Sequence, residues 1–117
     1  MRPVVCFGEA LIDFVCTDGA REPRAFEQHA GGAPANVAVA IASLGGASEF
    51  AGMLANDPFG DFLLASLTRA GVGTALVRRT SVAPTALAFV ALDANGERSF
   101  SFAVTNRIGS SPSPTGT

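Results

Sequence analysis

Residues 31–46 read GGAPANVAVAIASLGG. Pro34 suits the first position of a helix, where a missing N–H costs nothing, and Gly45-Gly46 suits the residues just past its end. A helix is therefore expected over residues 34–44. It is apolar nearly all round, so it is expected to be buried. The glycine pair at 31–32 lets backbone come close to a neighbour, with free N–H groups pointing outward.

Working outward from this helix, residues 3–7 (PVVCF) form an apolar run that stops at Gly8, which fits a fully buried strand. Residues 10–16 (ALIDFVC) read as a second strand. Alternation puts Leu11, Asp13 and Val15 on one face and Ile12, Phe14 and Cys16 on the other. Residues 17–24 are polar turn material, and residues 25–30 read as a short, weakly specified strand. Downstream, residues 47–53 suggest a strand. Asp57 then reads as the N-cap of a helix with Pro58 at its first position. Phe59, Phe62, Leu63, Leu67 and Ala70 fall on one stripe of that helix, and Gly71 closes it. Residues 74–79 suggest a further strand.

Asn95-Gly96 reads as a two-residue type I′ hairpin turn. Folding about it pairs Asp93 with Arg98, Ala91 with Phe100, Phe89 with Phe102 and Leu87 with Val104. Ser99 and Ser101 then lie on the other face. Strands alternating with helices argue for an α/β fold with a mainly parallel sheet. The hairpin and the strands near residues 12–30 would form a separate small sheet. The last 13 residues hold ten Ser, Thr, Pro or Gly and one bulky apolar side chain, Ile108. Such a segment cannot offset its ordering entropy and is expected to be disordered.

Composition narrows the function. At 117 residues the chain is one domain at most, and 48% apolar content is enough for a core. The net charge of −2 gives no basic footprint for nucleic acid or an anionic membrane, so neither is an expected partner. All eight basic residues are Arg, which excludes a P-loop or Schiff-base lysine in this chain. A single His, His29, excludes a His-rich metal site, and no metal ligand is assigned. Cys6 and Cys16 read as buried thiols of a reducing compartment. No apolar run reaches the 18 or so residues of a membrane span. Glu9 and Asp13 interrupt any signal-peptide pattern, so a cytoplasmic location is expected.

Three features stand out chemically. Asp13 is an acid within an apolar strand. It reads either as a residue at a wet strand end or as a buried carboxylate, which needs donors such as two sugar hydroxyls. Gly31-Gly32 reads either as a turn or as backbone that approaches a ligand. Asn36, in the first turns of an apolar helix, either bonds back to the helix terminus or reads a hydroxyl pair, since its amide both donates and accepts. Arg78-Arg79 reads better as a solvated strand end than as an anion site. Gly71-Val72-Gly73 lacks a third glycine and follows a helix, which discounts a dinucleotide site.

GEALIDF at 8–14, GGAPANVA at 31–38, NDPFG at 56–60 and ALDANGERSFSF at 91–102 occur in that order. Together they resemble the ribokinase/PfkB family of carbohydrate kinases, most of all its fructokinase branch, over about residues 3–102. The resemblance implies the N-terminal part of a doubly wound, ribokinase-like parallel sheet with a small β-lid, spanning residues 1–104. Residues 105–117 would be a tail. It implies that Asp13, Gly31, Gly32 and Asn36 hold the hydroxyls of a small-molecule sugar. The strands near 12–30 and 86–104 would build the lid, carrying Phe89, Phe100 and Phe102 and offering a homodimer contact. The family reaction moves the γ-phosphoryl group of ATP to a sugar hydroxyl, with Mg2+, by positioning and charge stabilisation.

The departures are as informative. Family members run to roughly twice this length or more. Their catalytic base is an Asp in a Gly-Ala-Gly-Asp stretch of the C-terminal half, and no such stretch occurs here. No catalytic residue is therefore assigned. After Phe102, Ala103-Val104 replaces the aromatic and Arg usual in fructokinases, which suggests a truncation or a shifted reading frame. The expectation is a fragment that binds neither ATP nor Mg2+ and is inactive alone. The alternative is a non-catalytic sugar-binding or dimerisation module.

Overall fold

In the computed structural model, residues 2–18, 24–92 and 98–103 are described. The order is β1 (Val4–Phe7), β2 (Leu11–Cys16), β3 (Phe26–Gly31), α1 (Ala33–Ser43), β4 (Ser48–Ala55), α2 (Pro58–Arg69), β5 (Val77–Thr80), β6 (Leu87–Leu92) and β7 (Arg98–Ala103). The strands form two sheets. A parallel sheet has the order β1-β4-β5, and a four-stranded sheet has the order β3-β2-β6-β7. The expected α/β architecture with a separate small sheet is what the chain adopts.

β4 is the spine of the parallel sheet because both of its edges are paired. Val4 lies opposite Ser48 on one side, and Gly52 opposite Val77 on the other. α1 packs on β1 and β4, while α2 packs on β4 and also reaches β2 and β3. The core between them joins Cys6, Ile12, Ala35, Ala38, Phe50, Leu54, Leu63, Leu67 and Val72. Small residues at Ala35 and Ala38 let α1 lie close on the sheet. The buried Ser48 hydroxyl donates to the Ala38 carbonyl at 2.7 Å, so no polar cost is left there. Asp57 caps α2 as expected, its Oδ1 accepting the Gly60 N–H at 2.7 Å. Gly71 ends that helix at φ +87°, a conformation that favours glycine.

Three expectations change. β1 is not fully buried: only Cys6 is, while Phe7 is 81% exposed. The face carrying Val5 and Phe7 points away from both helices, and hydropathy alone does not say which face of a strand is covered. α1 is likewise covered on one side only. Ala35 and Ala38 are buried, but Val37 is 51% and Leu44 88% exposed.

The hairpin register is shifted by one residue. Ala91 pairs with Ser99, Phe89 with Ser101 and Leu87 with Ala103, where Phe100, Phe102 and Val104 were expected. The last pair is Leu92 with Arg98, which leaves five residues between the strands, 93–97, where a two-residue turn had been expected. A one-residue change in loop count exchanges every cross-strand partner. The expected partner Asp93, Val104 and the tail at 105–117 lie outside the described residues.

This packing predicts unequal costs for two phenylalanines. Phe50 is fully buried, so Phe50→Ala is expected to cost about 3–5 kcal/mol. Phe7→Ser is expected to change stability by no more than about 0.5 kcal/mol. Urea denaturation checks both, and an equal loss at the two positions would mean that the outer face of β1 is covered.

Candidate functional site

The junction between β3 and α1 is where the two sheets meet the first helix. Gly31 closes the strand, and Gly32 opens the helix at φ +99°. A β-carbon on Gly31 would sit 2.5 Å from Asp13 Oδ2, so the Asp13 carboxylate lies directly over this glycine. A β-carbon on Gly32 would sit 2.7 Å from the Glu9 carbonyl oxygen. Gly32 is therefore required by its φ angle and by the Glu9 carbonyl, and Gly31 by the close approach of the Asp13 carboxylate.

Register explains why Asp13 reaches this place. Leu11 lies opposite Gly31 and Asp13 opposite His29, so Asp13 shares a sheet face with both glycine 31 and the histidine. The other face of β2 carries Phe14 against α2, with the Phe14 and Phe59 rings edge-to-face at 5.8 Å. Asp13 is half-buried, and no hydrogen bond or ion pair joins it to another described side chain. An acceptor with free lone pairs thus faces a strand-to-helix turn. No side chain caps α1 at that turn, so the N–H groups of its first turn keep donor capacity.

Asn36 stands one turn into α1, its N–H bonded to the Gly32 carbonyl at 2.9 Å. Its exposed side chain lines a crevice of about 300 Å³ with Gln28, Ala35, Phe62 and Ser66, between β3 and the two helices. Asp13 is not among the residues of that crevice. The structure therefore gathers Asp13, Gly31 and Gly32 at one point, whereas the Asn36 side chain lines a crevice that does not include Asp13.

Phe89 of β6 is held within the chain. Its ring stacks on Phe14 at 5.2 Å and meets Phe26 edge-on at 5.6 Å. Phe100 and Phe102 belong to β7, opposite Val90 and Ala88 in the register. His29 pairs with Glu27 at 2.9 Å on the exposed surface of β3. Arg79 is not a free strand end: it donates to the Ala55 carbonyl at 2.9 Å and to Asp61 at 2.6 Å. Cys6 and Cys16 are both buried and unbridged.

One residue does more than its sequence context suggests. Besides capping α2, Asp57 accepts the Thr85 N–H on Oδ2 at 3.0 Å and the Thr85 hydroxyl on Oδ1 at 2.7 Å. Thr85 is 28 positions away, so only the helix cap was readable from local sequence. Burial pushes the Asp57 carboxyl up, but bonds from the Thr85 N–H, the Gly60 N–H, the Thr85 hydroxyl and the Phe59 N–H outweigh it. The group is held below its ordinary value of 3.8.

These features define an α/β protein whose small second sheet is set against a Gly-Gly strand-to-helix turn. The pattern of the pfkB family carbohydrate kinases matches residues 1–107, and the chain belongs to that family. It is 52% identical over 102 residues to fructokinase-1 of Oryza sativa subsp. japonica, covering 85% of this chain and 32% of that one. The crystal structure of the Xylella fastidiosa fructokinase with bound ATP is 64% identical at a TM-score of 0.75, covering 86% of this chain and 30% of that one. The fructokinase of Vibrio cholerae O395 in its fructose, ADP and calcium ion bound form is 41% identical at a TM-score of 0.74. That match covers 89% of this chain and 32% of the other. The chain thus spans about a third of the length of these relatives, and its fold is the N-terminal portion of theirs.

The Asp57 bonds carry a pH signature. A carboxyl held low in the folded state stabilises it fully above the unfolded value, and that contribution is lost as pH falls through the folded value. Acid unfolding followed by circular dichroism is therefore expected to lose part of its slope below about pH 4 in Asp57→Asn. An unchanged acid transition would contradict the bonding described.

Proposed function

We propose that this chain is the sugar-binding part of an ATP-dependent sugar kinase of the fructokinase type. Asp13, Gly31, Gly32 and Asn36 contact the sugar hydroxyls. The Asp13 carboxylate accepts hydroxyl donors, the glycine pair lets the sugar approach backbone N–H groups, and the Asn36 amide reads a further hydroxyl. The observation that carries this reading is the Asp13 carboxylate lying over Gly31 with no hydrogen-bond or ion-pair partner among the described residues. Fructose is the substrate we favour, since the Vibrio cholerae relative is described with fructose bound.

The four-stranded sheet acts as the lid over this site. Phe89 stiffens it through its ring contacts, and Phe100 and Phe102 sit on its outer strand. Both β3 and β7 are edges of that sheet, and an unpaired edge is where a second copy would add. The domain unit is residues 1–104, followed by a tail at 105–117. A cytoplasmic location fits a nucleotide-dependent sugar kinase.

The Xylella fastidiosa relative is described with ATP bound, and on this reading ATP and Mg2+ are held by family members of that length. The 117 residues contain no Gly-Ala-Gly-Asp stretch, the one the resemblance assigns to phosphoryl transfer. On this reading the 117 residues bind sugar and do not by themselves phosphorylate it. Isothermal titration with fructose is expected to give binding that Asp13→Asn weakens about tenfold, as loss of a charged acceptor does. Gly31→Ala is expected to abolish it, because the new methyl group displaces the carboxylate. A coupled assay is expected to register no ATP-dependent fructose phosphorylation. Turnover by the purified chain, or unchanged affinity in both variants, would overturn the reading.

A further inference from the structure

Among the described residues, the four-stranded sheet is rooted to the rest of the molecule at three chain crossings. The first, residues 8–10, begins with Gly8 at φ +150°, and the second is Gly31-Gly32, with Gly32 at φ +99°. Both crossings contain backbone with glycine's freedom. The third, residues 81–86, contains no glycine. It is gripped instead by Asp57, which takes both the N–H and the hydroxyl of Thr85.

The grip lies close to the site in bonded terms. Ala86, the next residue, accepts the Ile12 N–H at 3.1 Å. Ile12 then pairs with Leu87, and Asp13 with Ala88. Ile12 and Thr85 are both fully buried, so neither has slack around it. A continuous path of bonds runs from the α2 terminus through Asp57, Thr85, Ala86 and Ile12 to Asp13. We propose that Asp57 is a positioning residue: its grip on Thr85 fixes the entry of β6 and thereby sets where the Asp13 carboxylate stands over Gly31. The sugar consequence rests on the function proposed above, while the effect on the sheet does not.

Three substitutions separate this role from helix capping. Asn caps a helix as well as Asp does. In Asp57→Asn the amide oxygen keeps the Gly60 N–H, but the amide nitrogen faces the Thr85 N–H, donor against donor. Thr85→Val removes the hydroxyl bond without touching the cap, and Thr85→Ser restores it.

Hydrogen exchange read by NMR on the 117-residue chain, with fructose titrations of each variant, tests the proposal. Asp57→Asn and Thr85→Val are expected to speed exchange of the Ile12 amide and of β6 about tenfold, with α2 and β4 unchanged. Fructose affinity is expected to fall about tenfold in both, and Thr85→Ser to recover both readouts. Equal loosening of α2 and β6 would reduce Asp57 to a helix cap and overturn the proposal, as would no change in either. Loosening of the Ile12 amide and β6 alone, in a chain that binds no fructose at all, would uphold the grip and sink the sugar reading.

Discussion

Everything at the site depends on a backbone constraint at Gly31-Gly32. A strand must end at Gly31, under the Asp13 carboxylate, and a helix begin at Gly32, at a positive φ and against the Glu9 carbonyl. Gly32 meets its φ and its carbonyl neighbour only without a β-carbon, and Gly31 leaves the Asp13 carboxylate in place only without one. Because the turn is that tight, the end of the second sheet and the start of α1 are locked into one place. The carboxylate comes to that place through strand register, with Leu11 set opposite Gly31.

The rest of the fold holds this junction still. Helix α2 does so from two ends of its first turn. Asp57 ties it to the strand entering the small sheet, and Arg79 ties it to the end of β4 through the Ala55 carbonyl and Asp61. Gly60 sits under these contacts so closely that any side chain there would run into the Ala55 carbonyl. The aromatic contacts of Phe14 with Phe59 and Phe89 add packing between α2 and the small sheet. Polar clamps fix direction and apolar rings supply area, which is the usual division of labour where two layers meet.

How much of this was legible depended on the range of the signal. Local signals read well: Pro34 and Gly45 bracket α1, and Asp57-Pro58 opens α2. The glycine pair and Asp13 were singled out from residue type alone. Signals that depend on what lies alongside read poorly. The hydropathy of α1 and β1 says that they have an apolar face, not that each face meets a neighbour, so Leu44 and Phe7 were misjudged. Asn95-Gly96 suggested the shortest turn, yet the strands part at Leu92 and Arg98 and the register follows that count. Thr85 gave no signal, because a hydroxyl pairing with an acid 28 positions away leaves no pattern in sequence.

Backbone amide shifts of the isotope-labelled chain, followed as fructose is added, test the account most directly. Shifts concentrated at Asp13, Gly31, Gly32 and the first turn of α1 would agree with it. Shifts confined to the crevice between the two helices, or none at a saturating concentration, would contradict it.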